Sequence, residues 1–501
     1  MLKNKQFTVG AMLSYGAIVF NIISGLLYTP WMIKTIGNDQ YALYTLAMSI
    51  INIFLLDFGI GSAVTKFLSN YYARDQHEEA NLFMGIVYKV FIAISVTIAV
   101  CLAIFYMFID VIYLKLTPDE LLLFKRLFII VATFSVVTFP FTTFNSVLMA
   151  NECFVEVKIC NLLQKVLSVA FIIIALLSGR GVYTLVLTHV VSNCLFLIVK
   201  YFFIRKNTKQ RTNMSSWDKK LAKNLFGYSS WYTLMNLAQR CIFSIMPTII
   251  VATIGTAEVT IFTLATTIEG YVYTFADAIN GMFMPKVSRI LVREDADKHL
   301  TQLMSKVGRF HIFTVGLIYI GFICIGKDFV NSWMGTGYEM VYWCAVVLIF
   351  PSLFYLPQQV AKTALLVKGV LKEQGLIYSG MAIVNLILSF VCLKKVGIIG
   401  AAISVCVAYL LRTLGMNILY YKKLPGNLKE YFKYTYGRWS IVAVITLVLG
   451  KTLLPKIVIA GWFGVLVKVC IVVVTYLVLY ALIGIEGSLR RDIVDRIKKR
   501  R

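Results

Sequence analysis

About fourteen apolar stretches of roughly 18 to 30 residues follow one another along the chain, each long enough to cross a ~30 Å hydrocarbon layer as a helix. They fall near 9–33, 41–68, 82–109, 125–149, 157–177, 182–204, 225–252, 259–288, 308–326, 341–366, 373–393, 398–421, 437–454 and 462–484. In lipid every backbone polar group must be satisfied within the protein, so apolar runs of this length are expected as helices. The expected fold is therefore all-α and polytopic. Composition agrees: 59% of the 501 residues are hydrophobic and 15% are charged, against about 25% charged in soluble domains. The first stretch begins close to Met1 without a small-residue cleavage pattern, so it reads as a retained helix and not a removed signal peptide.

The net charge of +25 raises nucleic acid as a ligand, but the 49 Lys and Arg residues lie mostly between apolar runs. Their distribution instead sets an orientation, because Lys and Arg accumulate on the cytoplasmic side. Alternating the loops places about 30 of them on one side. That side holds Lys3, the 205–223 loop, 289–309, 422–438 and the tail. The other side receives about eight, among them Lys34, Lys115, Arg180 and Lys394. Both termini are then cytoplasmic, and the basic tail 485–501 is expected along anionic headgroups.

Ten cysteines are scattered singly, with no C-x-x-C pair, and four histidines are dispersed. Neither a disulfide framework nor a metal site is indicated, and no cofactor is expected. His189, inside a helix, is either an interior hydrogen-bonding residue or a proton relay.

The chain repeats itself. From Ile36 it reads IGNDQYALYTLAMSI and from Ile254 IGTAEVTIFTLATTI, with six identities in register. A D-x3-G-x4-K frame follows each copy, beginning at Asp57 and at Asp277. Pro30 and Pro247 precede the two copies at similar distances. An even number of helices separates them, so the halves share one orientation, related by an axis along the membrane normal. The organisation expected is a lobe of six helices over 1–204 and a basic cytoplasmic linker over 205–224. A second six-helix lobe over 225–421, two further helices over 422–484 and the tail follow.

Residues 41–81, YALYTLAMSIINIFLLDFGIGSAVTKFLSNYYARDQHEEAN, together with the two related halves, resemble the polysaccharide-transport branch of the multidrug/oligosaccharidyl-lipid/polysaccharide exporters. The resemblance covers roughly 10–420; the last two helices follow that family only in number and polarity. It implies a flippase that moves an undecaprenyl-pyrophosphate-linked oligosaccharide, an O-antigen or capsule unit, to the outer leaflet of a bacterial inner membrane. A functional monomer is expected, since one chain holds both halves of the cavity.

A diphosphate crossing hydrocarbon needs fixed positive charge on its path. Arg240 is the first candidate. With Asn236, Ser244 and Pro247 it forms one polar helix face. Lys165 shares a stripe with Asn161 and Ser168, and Arg412 lies within the twelfth stretch. Lys66, Lys89, Lys286 and Lys362 lie nearer cytoplasmic helix ends, where either a substrate role or snorkelling to headgroups is open. Asp57, Glu269 and Asp277 are deep acids, which carry a coupling H⁺ or Na⁺ or else pair with those cations and cap helix segments near Gly61 and Gly281. Glu269 has no acidic counterpart in the first half, where Ile51 or Ser49 aligns, which makes it the stronger coupling candidate.

No G-x-x-x-x-G-K-[ST] motif occurs, and no loop is long enough to hold a nucleotide-binding domain. Transport is thus expected to draw on an ion gradient or on consumption of product. Pro247, Pro285, Pro351 and Pro357 are expected to bend their helices as the lobes rock. Two other classes compete: an antiporter of small organic cations from the same superfamily, and a membrane polymerase or ligase of polysaccharide. The longest outer segments, about 110–124 and 327–340, hold no acid/base or nucleophile constellation, which weighs against an enzyme.

Overall fold

The computed structural model describes residues 2–54, 60–179, 181–208, 210–215, 219–277 and 283–484. These residues form helices and no strand. In order they are α1 (Leu2–Ile36), α2 (Asn38–Phe54), α3 (Ile60–Ala73), α4 (His77–Ile112) and α5 (Pro118–Thr138). There follow α6 (Phe144–Ala150), α7 (Phe154–Leu177), α8 (Gly181–Asn207), α9 (Lys219–Ser244) and α10 (Met246–Thr253). Then come α11 (Ala257–Asp277), α12 (Met284–Leu291), α13 (Ala296–Met334), α14 (Glu339–Ile349) and α15 (Ser352–Tyr355). The last are α16 (Gln359–Val367), α17 (Leu371–Val396), α18 (Ile398–Lys423), α19 (Leu428–Leu453) and α20 (Gly461–Leu479).

Eleven helical segments among the described residues are long and apolar enough to cross a membrane, which makes this a multi-pass membrane protein. The other three apolar stretches of the sequence fall on α1, on α2 with α3, and on α11 with α12. Of the long helices, α13 has 39 residues, ~58 Å at 1.5 Å per residue, so it extends well beyond a ~30 Å hydrocarbon layer.

The helix interruptions follow prolines, which lack the donor a helix needs and clash with the preceding turn. The fourth stretch passes through a 3-10 turn at Phe139–Thr143, the tenth through Phe350 and Pro351 into α15 and a second turn at Leu356–Gln358. Both breaks carry the same dipeptide, Phe139-Pro140 and Phe350-Pro351, six stretches apart. Pro247 and Pro285 sit in the first turns of α10 and α12, where a missing N–H removes no helix bond. α5 starts on a capping box, in which Thr117 accepts from the Glu120 amide and the Glu120 carboxylate accepts from the Thr117 amide at 2.8 Å.

Two compact units emerge: residues 1–263 with 374–401, and residues 264–373 with 402–501. In the first, α7 packs between α1 and α8, and α2 lies against α5 and α9. A polar seam zips α7 to α8: Lys200 donates to Asn161 at 3.2 Å, Gln164 donates to Asn193, and the Ser168 and Ser192 hydroxyls meet at 2.6 Å. Part of the basic linker is tied down as well. The Asn81 side-chain oxygen accepts from the Arg211 amide at 2.6 Å and from Gln210 at 2.9 Å.

In the second unit α13 is the spine, and α14, α19 and α20 pack on it. Small residues let α19 come close: a Cβ on Gly316 would collide with the Trp439 indole, and one on Gly308 would stand 2.9 Å from the Tyr431 ring. The Trp439 indole N–H donates to the Tyr476 hydroxyl at 2.9 Å, and that hydroxyl donates to the Phe313 carbonyl at 3.0 Å. One chain of hydrogen bonds thus fastens α19 and α20 to α13.

Candidate functional site

The second unit gathers several of the polar residues singled out from the sequence. On α18, Tyr409 and Arg412 are three residues apart and so share a helix face. The Arg412 guanidinium lies over the Tyr409 ring at 4.4 Å from its centroid. The Phe350-Pro351 break ends α14 and starts the short α15, which delivers Tyr355 to the same guanidinium, 4.6 Å from its ring and with that ring 5.5 Å from the ring of Tyr409. Arg412 thereby packs on two adjacent aromatic rings with 5% of its surface exposed. The Tyr355 hydroxyl donates to the Glu269 carboxylate of α11 at 3.4 Å and accepts from Ser352 at 3.3 Å. Glu269 is 6% exposed, within electrostatic reach of Arg412.

A buried carboxylate and a buried guanidinium are each costly to desolvate alone and tolerable together with hydrogen bonds. Tyr355 links them: its hydroxyl serves the acid and its ring serves the cation. No metal-binding group of His, Cys, Asp and Glu occurs among the described residues.

The internal repeat sharpens the reading. Ile51 takes the place of Glu269 in the first half, and Phe144 stands after Phe139-Pro140 where Tyr355 stands after Phe350-Pro351. Gly181 and Gly397, both at positive φ (72° and 67°), open α8 and α18; counted from them, Arg412 corresponds to Phe196. All three counterparts are buried and apolar. The polar triad is thus confined to one half, whereas an architectural requirement common to both halves would have left it in each.

The remaining sequence candidates are placed as follows. Lys362 is half-buried on α16 and Lys286 exposed on α12, two helices that pack together in the second unit. In the first unit Arg240 is exposed on α9 with Asn236 half-buried one turn before it. Arg240 lies in the apolar segment Thr233–Thr253, ~10 Å from its start by helical rise. Lys165 is half-buried on α7, and His189 half-buried on α8. Asn161 and Ser168, on the Lys165 stripe, are engaged by α8 as described. Asp57, and the side chains of Lys66 and Asp277, lie outside the described residues, as does Gly281.

Two functional-looking residues escaped the sequence reading. Tyr355 is one of 28 tyrosines, and nothing in its neighbourhood marks it except the Phe-Pro break. Lys200 lies near a helix end, where a lysine is ordinarily taken to reach headgroups; it is instead 94% buried against Asn161.

Comparison with known proteins agrees with this architecture. Residues 36–343 match the family described as polysaccharide biosynthesis protein. The uncharacterized membrane protein EpsK of Bacillus subtilis (strain 168) is 22% identical over 232 residues, 45% of this chain and 45% of that protein. Among solved structures, the lipid II flippase MurJ in an inward closed conformation aligns over 97% of this chain and 100% of its own, with a TM-score of 0.71 at 14% identity. An inward-facing multidrug resistance MATE family transporter of the MOP superfamily aligns over 82% and 98%, with a TM-score of 0.66 at 11% identity. A MATE transporter of Vibrio cholerae, VcmN, follows at 0.60, 12% identical over 84% and 98%. This chain, a multi-pass membrane protein with the fold of those transporters, belongs to the polysaccharide biosynthesis protein family.

Proposed function

We propose that the chain is a flippase for an undecaprenyl-pyrophosphate-linked oligosaccharide, an O-antigen or capsule repeat unit, carried from the cytoplasmic to the outer leaflet of a bacterial inner membrane. The observation that carries this reading is the family match over 36–343 on a fold like that of a lipid II flippase. Fourteen crossings, cytoplasmic termini and a functional monomer complete the proposal. The six-helix lobes 1–204 and 225–421, joined by the basic cytoplasmic linker 205–224, alternate access, with 422–484 as two further helices and the tail 485–501 on headgroups. Neither ATP nor a cofactor takes part.

In this scheme Arg240 and Lys165 meet the diphosphate, helped by Asn236 and Asn161, with Lys66, Lys286 and Lys362 nearer the cytoplasmic mouth. Glu269 is the coupling acid, assisted by Asp57, Asp277 and His189. Taking up H⁺ or Na⁺ at Glu269 cancels the negative charge beside Arg412, and the attraction of Arg412 for an anionic substrate rises. Arrival of the diphosphate and binding of the ion at Glu269 are then linked, and each promotes the other. Tyr355 transmits the change, since its hydroxyl serves one partner and its ring the other.

A second reading, export of a small organic cation, is favoured by one feature, the carboxylate of Glu269 bonded to Tyr355, whose ring packs on those of Tyr273 and Tyr409. Cells decide between the two. Loss of the protein should leave the lipid-linked oligosaccharide in the cytoplasmic leaflet, inaccessible to a membrane-impermeant lectin added to spheroplasts, and re-expression should restore labelling. Undiminished labelling without the protein, with loss of organic-cation extrusion, would transfer the proposal to the second reading.

A further inference from the structure

Away from that triad, the second unit holds a cavity of ≈ 430 Å³ where the Met334 end of α13, the last turn of α19 and the first turns of α20 converge. Lys327, Asp328, Lys451 and Lys468 line it, a surplus of two positive charges. Lys468 is 9% exposed, and its ammonium sits 2.6 Å from the Asp328 carboxylate. The aspartate therefore accounts for one lysine of the three. Lys327 lies over the Trp343 ring at 5.1 Å, and Lys451 is exposed at the end of α19. Close contact of the helices holds the lysines together: a Cβ on Gly450 would meet the Cys324 sulfur at 2.6 Å.

Two further features identify what such a cavity would take. α20 opens at Gly461 with no side chain capping its first amides, so the positive end of a helix of 19 residues lies at the cavity wall beside Ile459 and Ala460. The rim is apolar and open: Val458 is 93% exposed and Phe463 69%. In a chain solvated by lipid, such side chains stand against acyl chains, and Trp343 and Trp462 are the residue type that settles at headgroup depth. Charged floor and apolar rim together fit a ligand with an anionic head and a hydrocarbon tail. The charge count of the loops also places these lysines on the side where Lys and Arg are scarce, so their convergence is not a by-product of orientation.

We propose that this cavity binds the phosphate headgroup of an anionic lipid, with Lys327 and Lys451 contacting the phosphate and the Lys468–Asp328 pair fixing the floor. A free phosphate anion shares the headgroup chemistry but leaves the apolar rim uncovered. The proposal rests on the chain spanning a membrane and is independent of what it transports.

The test uses the purified full-length protein in neutral detergent, with lipid binding counted by native mass spectrometry. Dioctanoyl phosphatidic acid is compared with dioctanoyl phosphatidylcholine and with inorganic phosphate. The wild type should retain the phosphatidic acid above the other two, less so as salt is raised. Lys327→Gln and Lys451→Gln, both at exposed side chains, should each lower its affinity about fivefold. Asp328→Asn removes the one negative charge and should raise affinity, and the lipid should restore the thermal stability that variant loses. Wild-type affinity in the folded lysine variants, or no gain in Asp328→Asn should the lysine variants fail to fold, overturns the site. Inorganic phosphate bound as tightly as phosphatidic acid overturns the lipid as its occupant.

Discussion

The Tyr355 hydroxyl stands 3.4 Å from the Glu269 carboxylate while the ring of the same tyrosine supports the Arg412 guanidinium at 4.6 Å. The two halves of that side chain can be separated by mutation. Tyr355→Phe keeps the ring and loses the hydroxyl's two hydrogen bonds, with Glu269 and Ser352, for an expected loss of about 2 kcal/mol. Tyr355→Ala removes a half-buried aromatic and the platform for Arg412, and should cost about 3–4 kcal/mol. Thermal unfolding in detergent reads both, and equal losses would contradict the ring's share in the account.

At Glu269 the effect expected is on coupling and not on folding. Glu269→Gln preserves the shape and a hydrogen-bonding oxygen but cannot change charge. Translocation by this variant should no longer respond to an imposed H⁺ or Na⁺ gradient, while its melting temperature stays near that of the wild type. A gradient response of wild-type size would remove Glu269 from the mechanism.

The close approach of α13 and α19 supplies a packing test. Gly316→Ala places a methyl group into the Trp439 indole, and overpacking of this kind costs about 1–3 kcal/mol. Trp439→Phe alone loses the hydrogen bond to Tyr476, but combined with Gly316→Ala it should recover part of the loss, because the smaller ring leaves room. Additive losses in the double variant would mean that the two residues do not touch.

The α7–α8 seam predicts an asymmetry between its bonds. Ser192→Ala breaks a contact between neutral hydroxyls and should cost about 0.6 kcal/mol, typical of hydrogen bonds between membrane helices. Asn161→Leu leaves the buried Lys200 ammonium without its amide and should cost about 3 kcal/mol. Adding Lys200→Met should restore stability. If the single Asn161→Leu variant melts with the wild type, the Lys200–Asn161 contact carries no weight.

How much of this was legible in the chain differs by level. The apolar stretches were readable because a helix in lipid must be long and apolar, and they fall on helices wherever the residues are described, 55–59 and 278–282 lying outside. Bends were expected at Pro247, Pro285, Pro351 and Pro357, and helices start or break at all four; the corresponding break at Pro140 was not foreseen, though it carries the same Phe-Pro dipeptide. Glu269 and Arg412 stood out because a charge in an apolar run needs a reason. Their meeting did not, since they lie on different helices far apart in sequence and are joined by a tyrosine that no local pattern distinguishes. The Lys200–Asn161 bond and the lysines around the α20 cavity were hidden for a similar reason: a lysine near a helix end looks alike whether it reaches headgroups or turns inward.

Reconstitution tests the central claim most directly. Sealed proteoliposomes carrying a fluorescent prenyl-diphosphate oligosaccharide would be followed for movement of the label between leaflets, using wild type and a well-folded Arg240→Ala variant. The account predicts translocation by the wild type and a loss of at least about tenfold in the variant, the scale of one lost charge contact to a diphosphate. Absence of translocation by wild type that still extrudes a small organic cation would contradict it.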